Sequence, residues 1–174
     1  MKDQALLYPP GANDECHTPD YAVKALIPHL PAGLTYWCPF DEQTSEFPVQ
    51  MRAAGLRVVA THIRDGKDFW ETHPFYGCDA IVSNPPFTNK AQIFERVLSF
   101  NLPFALLMSL TWLNDSAPKR IFGHKTPLEL LMFEERIQYK GQDKKITFSS
   151  AYYCSGLLPK PIMFDSLKKY GMGK

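Results

Sequence analysis

The chain predicts an α/β fold: a doubly wound, mostly parallel sheet with an antiparallel edge. Three observations predict it. Short apolar segments of strand length alternate with segments of helical periodicity up to about residue 110. One of them, Phe104-Ala105-Leu106-Leu107-Met108-Ser109-Leu110, is a continuous apolar run, which suits a strand covered on both faces. Beyond residue 127 the helical signals thin out, and three strand-like segments follow.

Residues 1–16 read as irregular, with Pro9-Pro10-Gly11 as a breaker. A helix starts at Thr18. Thr18 suits the N-cap, Pro19 the first helical position, and Asp20 the positive helix end. Val23, Ile27 and Leu30 form its apolar stripe, and Pro31-Ala32-Gly33 ends it. Leu34 to Cys38 is the first buried strand, stopped by Pro39. A second helix covers 45–54, with Gly55 as its left-handed cap. Arg57 to Ile63 is the next strand, and Asp65 to Gly77 is mostly loop. Asp79 to Ser83 is a short central strand closed by two prolines. A helix over Lys90–Phe100 turns Ile93, Phe94, Val97 and Leu98 inward. Segments 129–139, 145–154 and 161–166 read as strands pairing as the antiparallel edge. Ligands of open α/β sheets gather at the carboxyl ends of the strands. Cys38-Pro39-Phe40, Thr61-His62 and Ser83 to Phe87 should therefore share one rim.

The length of 174 residues suits one domain with a full-sized core, and 45% hydrophobic and 13% aromatic residues exclude a disordered chain. No apolar run reaches the roughly 18 residues of a membrane span, and no signal-peptide core follows Met1-Lys2-Asp3-Gln4. The expectation is a cytoplasmic protein with no membrane partner. Cys16, Cys38, Cys78 and Cys154 form no C-x-x-C pair and read as free thiols. His17, His29, His73 and His124 lack metal-ligand spacing, so no metal site is expected. No glycine-rich phosphate loop of the P-loop kind is present. Residues 1–135 hold 11 Lys/Arg against 16 Asp/Glu, and residues 136–174 hold 8 against 2. The basic end suits either phosphates or an ordinary solvated face.

The segment that carries chemistry is Ser83-Asn84-Pro85-Pro86-Phe87, directly after the Asp79-Ala80-Ile81-Val82 strand. An exocyclic amine is a poor nucleophile because its lone pair is delocalised into the ring. Two acceptors aimed at its N–H groups favour a tetrahedral nitrogen and free that lone pair. The Asn84 side-chain oxygen and the Pro85 carbonyl can supply both. Pro85 and Pro86 stiffen the loop that holds them. Phe87 offers a flat face for a planar substrate, such as a base flipped out of a duplex.

With these residues the chain resembles the class I S-adenosylmethionine-dependent methyltransferases, specifically the adenine-N6 type of phages and bacterial mobile elements. The resemblance covers about residues 14–167 and implies a Rossmann-like class I methyltransferase fold. It also implies S-adenosylmethionine as cofactor and nucleic acid, DNA before RNA, as substrate. Asn84 to Phe87 match the family's N-P-P-[FYW] tetrad residue for residue, so Asn84, Pro85, Pro86 and Phe87 inherit the catalytic role. Asn84 also borders the cofactor. Thr18-Pro19 matches the Thr-Pro element near the cofactor's methionine part. Gly66-Lys67-Asp68-Phe69 resembles the third motif, which gives Asp68 and Phe69 to the cofactor adenine.

The first motif departs from the family. In Trp37-Cys38-Pro39-Phe40-Asp41-Glu42-Gln43-Thr44, Pro39 and Phe40 match. Cys38 replaces the acid, and Glu42 and Thr44 stand in place of glycines, where any Cβ would crowd the ligand. Thr61-His62 stand where an acid often ends the second strand. In one account Asp41 and Glu42 supply the missing carboxylates, one facing the cationic amino-sulfonium end; in the other, cofactor binding has decayed.

Three functions follow. The first is methyl transfer to adenine N6 in DNA; since no long recognition insert is evident, it is either a small, weakly specific enzyme or one with a recognition subunit or a homodimer as a partner. The second is the same chemistry on an RNA base or a protein glutamine amide. The third is a non-catalytic relative that binds nucleic acid or protein through the rim and the basic end, with salt-sensitive nucleic-acid binding through Lys140, Lys144 and Lys145. His62 reads as a rim residue, Trp112 to Asp115 as a capping turn or a substrate-side wall, and Ser149 to Tyr153 as packing near the rim.

Overall fold

A computed structural model describes residues 16–74, 77–123, 126–141 and 146–173. Within them lie seven strands: β1 (Thr35–Cys38), β2 (Arg57–Ala60), β3 (Ala80–Ser83), β4 (Phe104–Ser109), β5 (Glu129–Phe133), β6 (Ser150–Ser155) and β7 (Ile162–Asp165). The helices are α1 (Asp20–Leu26), α2 (Glu46–Ala53), α3 (Lys90–Ser99) and α4 (Ser116–Phe122). The strands form one sheet in the order β2-β1-β3-β4-β6-β5-β7. The first four are parallel to one another, and β6 runs antiparallel to both β4 and β5.

The sheet is covered on both faces. Neighbouring residues of a strand point to opposite sides. Tyr152 donates its hydroxyl to the Ala22 carbonyl at 2.9 Å and meets Phe47 edge-on, so α1 and α2 cover its side. Tyr153 packs against Phe94 and Trp112, so α3 and the 3-10 turn Leu110–Asn114 cover the other. Every residue of β3 and β4 is accordingly buried, which the unbroken apolar run of β4 anticipates. No described helix is long and apolar enough to cross a membrane.

The structure corrects several boundaries. The first helix begins at Asp20 with extended Pro19 at its cap, and no side chain caps it. The Thr18 hydroxyl is engaged elsewhere, by Asn84. The strand expected over Arg57–Ile63 stops at Ala60. The His62 ring nitrogen Nδ1 accepts from the Arg64 N–H and starts a 3-10 turn over Ile63–Asp65. The segment expected over 129–139 ends at Phe133, and the one over 145–154 forms a strand from Ser150. The edge is mixed: β7 pairs parallel with β5, because β6 folds in between β4 and β5. Helix α4, absent from the sequence reading, follows Asp115, with Pro118 inside its first turn. Pro9-Pro10-Gly11, His124, Lys144 and Lys145 lie outside the described residues.

Candidate active site

The carboxyl ends of β1, β2 and β3 open onto a cavity of about 530 Å³, within the roughly 300–1,000 Å³ range of small-molecule sites. Backbone bonds fix this rim. The Thr61 N–H donates to the Cys38 carbonyl at 3.0 Å, and the Asp41 N–H donates to the Thr61 carbonyl at 3.2 Å. The Trp37 indole N–H also reaches the Thr61 hydroxyl at 3.0 Å. The β1 turn brings Pro39, Phe40, Asp41 and Glu42 to the cavity, and the loop after β2 brings Asp68 and Phe69. The strap Cys16-His17-Thr18 closes one side, and Asn84, Pro85 and Pro86 enter from β3. All eight predicted cofactor residues and the first three catalytic candidates come from these four places.

Asn84 is held by two bonds. Its amide nitrogen donates to the Cys16 carbonyl at 2.9 Å and to the Thr18 hydroxyl at 3.0 Å. A carbonyl oxygen cannot donate, so the amide cannot be turned over without setting two acceptors against each other. The Asn84 oxygen Oδ1 is thereby committed to the other side, where it is buried with no hydrogen-bond partner among the described residues. An unmet buried acceptor costs about 1–3 kcal/mol.

The two acids of the β1 turn differ. Glu42 forms an ion pair with Arg64 at 2.7 Å, with both side chains substantially exposed. Asp41 is 6% exposed. The Ser83 hydroxyl donates to its carboxylate, and no described cation pairs with it. Burial pushes its pKa from 3.8 up to about 7, which the Ser83 hydrogen bond only partly offsets. No non-glycine residue of this turn has positive φ, so the backbone does not require glycine at Glu42 or Thr44. Both nevertheless present side chains at the cavity margin.

The far wall is aromatic. Phe40 lies 4.5 Å from Phe69 between ring centroids, and Phe69 touches Trp70 edge-on at 5.3 Å. Trp70 and Ile63 line the same cavity and are 44% and 64% exposed. The Asp68 carboxylate accepts from the Trp70 N–H at 3.0 Å, which shapes the turn. Arg96 on α3 holds this loop through the Phe69 and Thr72 carbonyls and stands over the Phe69 ring.

Phe87 lies elsewhere. It is buried, edge-on to Tyr139 and Phe148, and does not line the cavity. It packs the loop from behind and does not present a stacking face there. Trp112 is also a core residue, stacked on Phe94 at 4.6 Å. His62 lines the rim, and its Nδ1 is taken by the Arg64 N–H. Lys140 sits at the cavity mouth, ion-paired with Glu46 at 2.7 Å. Sequence reasoning placed Ser83 on the rim without its bond to Asp41, and missed Arg64, Trp70 and Arg96 as parts of the site. Trp70, directly after Asp68-Phe69, was the one that adjacency could have found.

No protein-family model and no curated protein sequence matches the chain. Among solved structures, it is similar to a Listeria monocytogenes protein provisionally described as a class I S-adenosylmethionine-dependent methyltransferase. The TM-score is 0.51 at 9% identity, over 89% of this chain and 67% of that one. The chain has this class I methyltransferase fold, in which β6 supplies the antiparallel element.

Proposed function

We propose that the protein is an S-adenosylmethionine-dependent N-methyltransferase that acts on a planar exocyclic amine, with adenine N6 in DNA as its first candidate substrate. The observation that carries this reading is the Asn84 oxygen: a buried acceptor, fixed in direction by Cys16 and Thr18, with nothing described to accept from. A hydrogen-bond donor is what it lacks, and an amine N–H can supply one. The resemblance of Asn84-Pro85-Pro86-Phe87 to the adenine-N6 tetrad supports adenine, and the fold supports methyl transfer.

The residues present fit the cofactor. Asp41 is a buried carboxylate without a cation, suited to the amino-sulfonium end. Phe40, Phe69 and Trp70 give apolar walls for the adenine, beside Asp68. Thr18 and Pro39 line the same cavity, and the resemblance gives Thr18 to the side of the methionine part. When bound, S-adenosylmethionine supplies an electrophilic methyl group.

The chain supplies position and polarity. Asn84 Oδ1 accepts one amine N–H and the Pro85 carbonyl the other, which draws the nitrogen toward tetrahedral geometry. Pro85 and Pro86 hold the two acceptors without backbone freedom. Oδ1 exposes almost no surface, so an amine must displace neighbouring atoms to reach it. Phe87 anchors the loop against Tyr139 and Phe148. The basic end contributes less free charge than its composition promises, since Lys140, Lys168 and Lys169 are each ion-paired.

The test is radiolabelled methyl transfer from S-adenosylmethionine to DNA, RNA and protein, beside calorimetric titration of the cofactor. Label in the adenine N6 of DNA supports the full reading. Label in RNA or a protein amide keeps the chemistry and changes the substrate. No binding heat from folded protein at high micromolar cofactor overturns the methyltransferase reading and leaves a non-catalytic binding protein.

A further inference from the structure

A cavity-lining acid without a counter-charge calls for an explanation. Asp41 is enclosed, receives one neutral hydrogen bond from Ser83, and meets no described cation. Its neighbours do not compensate it. Cys38 on β1 and Tyr152 on β6 are buried groups whose pKa values burial pushes well up, so both stay neutral near pH 7. The Thr61 carbonyl after β2 is already occupied by the Asp41 N–H. Arg64 is paired with Glu42, and His62 Nδ1 accepts from the Arg64 N–H. Arg52 on α2 reaches the Gln43 side chain and the Val58 carbonyl. At the mouth Lys140 is paired with Glu46, and His17 bridges to Lys140 through its backbone.

We propose that Asp41 is a proton-linked counter-charge that selects the charged methyl donor: at mildly acidic pH it holds a proton in the free protein and gives up that proton when the donor's sulfonium enters. The inference rests on the cofactor reading above and adds to it a discrimination between donor and by-product. Ser83, which holds Asp41, immediately precedes Asn84 in the chain. A sulfonium that delivers a methyl group to an amine on Asn84 must lie within a few ångströms of it, and so near this carboxylate.

The charge balance closes over a cycle. Transfer breaks the sulfur–methyl bond, whose electron pair returns to sulfur. It forms the nitrogen–methyl bond from the amine lone pair, and one proton is lost from nitrogen. The positive charge on sulfur vanishes in the same step, so Asp41 loses its counter-charge and takes up a proton. The neutral-sulfur by-product is then held less firmly than the donor.

The test is calorimetric titration of the full chain with S-adenosylmethionine and with S-adenosylhomocysteine, at pH 6 and pH 8, in buffers of different ionisation heat. The two ligands share the amino-acid end, so their difference reports the sulfur charge. At pH 6 S-adenosylmethionine should release close to one proton, and its affinity should rise about tenfold from pH 6 to pH 8. S-adenosylhomocysteine should show neither effect. Asp41→Asn should abolish both the proton release and the preference. If that variant does not fold, Ser83→Ala removes the hydrogen bond favouring the charged form and should move the pH midpoint upward. Equal proton release by both ligands, or a preference that survives Asp41→Asn, overturns this inference and leaves the cofactor reading standing. Failure of both ligands to bind the folded protein overturns both.

Discussion

The Asn84 amide nitrogen donates to the Cys16 carbonyl at 2.9 Å, and this one bond decides which end of the side chain faces a substrate. The carbonyl can only accept, so the amide nitrogen is fixed and its oxygen is committed to the opposite side. The strap that covers the cavity and the acceptor that serves it are thus one hydrogen-bonded unit.

Asn84→Ala separates chemistry from donor binding. It removes an acceptor that acts on the reacting nitrogen, so kcat should fall about 10²-fold or more, by analogy with loss of an oxyanion-hole donor. Cofactor affinity should stay nearly unchanged. The variant also releases the strap from two hydrogen bonds, at a cost of about 1–3 kcal/mol in stability. Single-turnover transfer beside calorimetry and thermal melting checks all three. Transfer at the wild-type rate would remove Asn84 from the mechanism.

Glu42→Gln and Asp41→Asn should differ although the residues are adjacent. Glu42 is spent on an exposed ion pair with Arg64, which contributes at most about 1 kcal/mol. Its loss should leave donor affinity near the wild-type value. Asp41 has no described counter-charge, and losing its charge a few ångströms from the sulfonium should weaken the donor about 10- to 100-fold at pH 8, within the roughly 4 kcal/mol of a close charge pair near a protein surface. Equal effects from the two variants would show that the carboxylates share the cation.

The parallel half of the sheet was legible because its signals are local. Each short apolar segment ends at a proline or a polar pair, and Pro39, Thr61 and Pro85 mark the rim that gathers the cavity. What escaped depends on partners far away in sequence. Thr18 looks like a helix cap until Asn84 takes its hydroxyl from 66 residues downstream. Phe87 looks like a stacking platform until Tyr139 and Phe148 surround it. The insertion of β6 between β4 and β5 is a pairing choice that no single segment encodes. Asp41 and Glu42 read alike as acids, and only Arg64 and Ser83 separate them.

Trp112 tests the boundary between core and site. It stacks on Phe94 and packs against Tyr153 and Phe122, on the sheet face away from α1 and α2. Trp112→Ala should cost about 3–5 kcal/mol of stability. Trp112→Phe should cost less and leave kcat at the wild-type level in the folded fraction. Urea unfolding beside activity per folded molecule checks this. A kcat loss in Trp112→Phe without a stability loss would place the ring on the substrate side.

Asp41 should also set a pH dependence of stability, independent of any ligand. Its folded pKa lies near 7 against an ordinary 3.8, because burial disfavours the charged form. Between those values the folded chain holds a proton that the unfolded chain has lost. The stabilising effect is therefore fully present below about pH 4 and is lost as pH rises through 7. The gap between 3.8 and about 7 amounts to a few kcal/mol by pH 8. Asp41→Asn is neutral at every pH and can still accept from Ser83. It should match the wild type near pH 4 and exceed it by a few kcal/mol at pH 8. Urea unfolding of both proteins at pH 4.5, 6 and 8 reads the difference, in which the titration of every other group cancels. Parallel curves would mean that Asp41 has found a cation and is ionised in the free protein, and the proton-linked selection of the donor would fall with it.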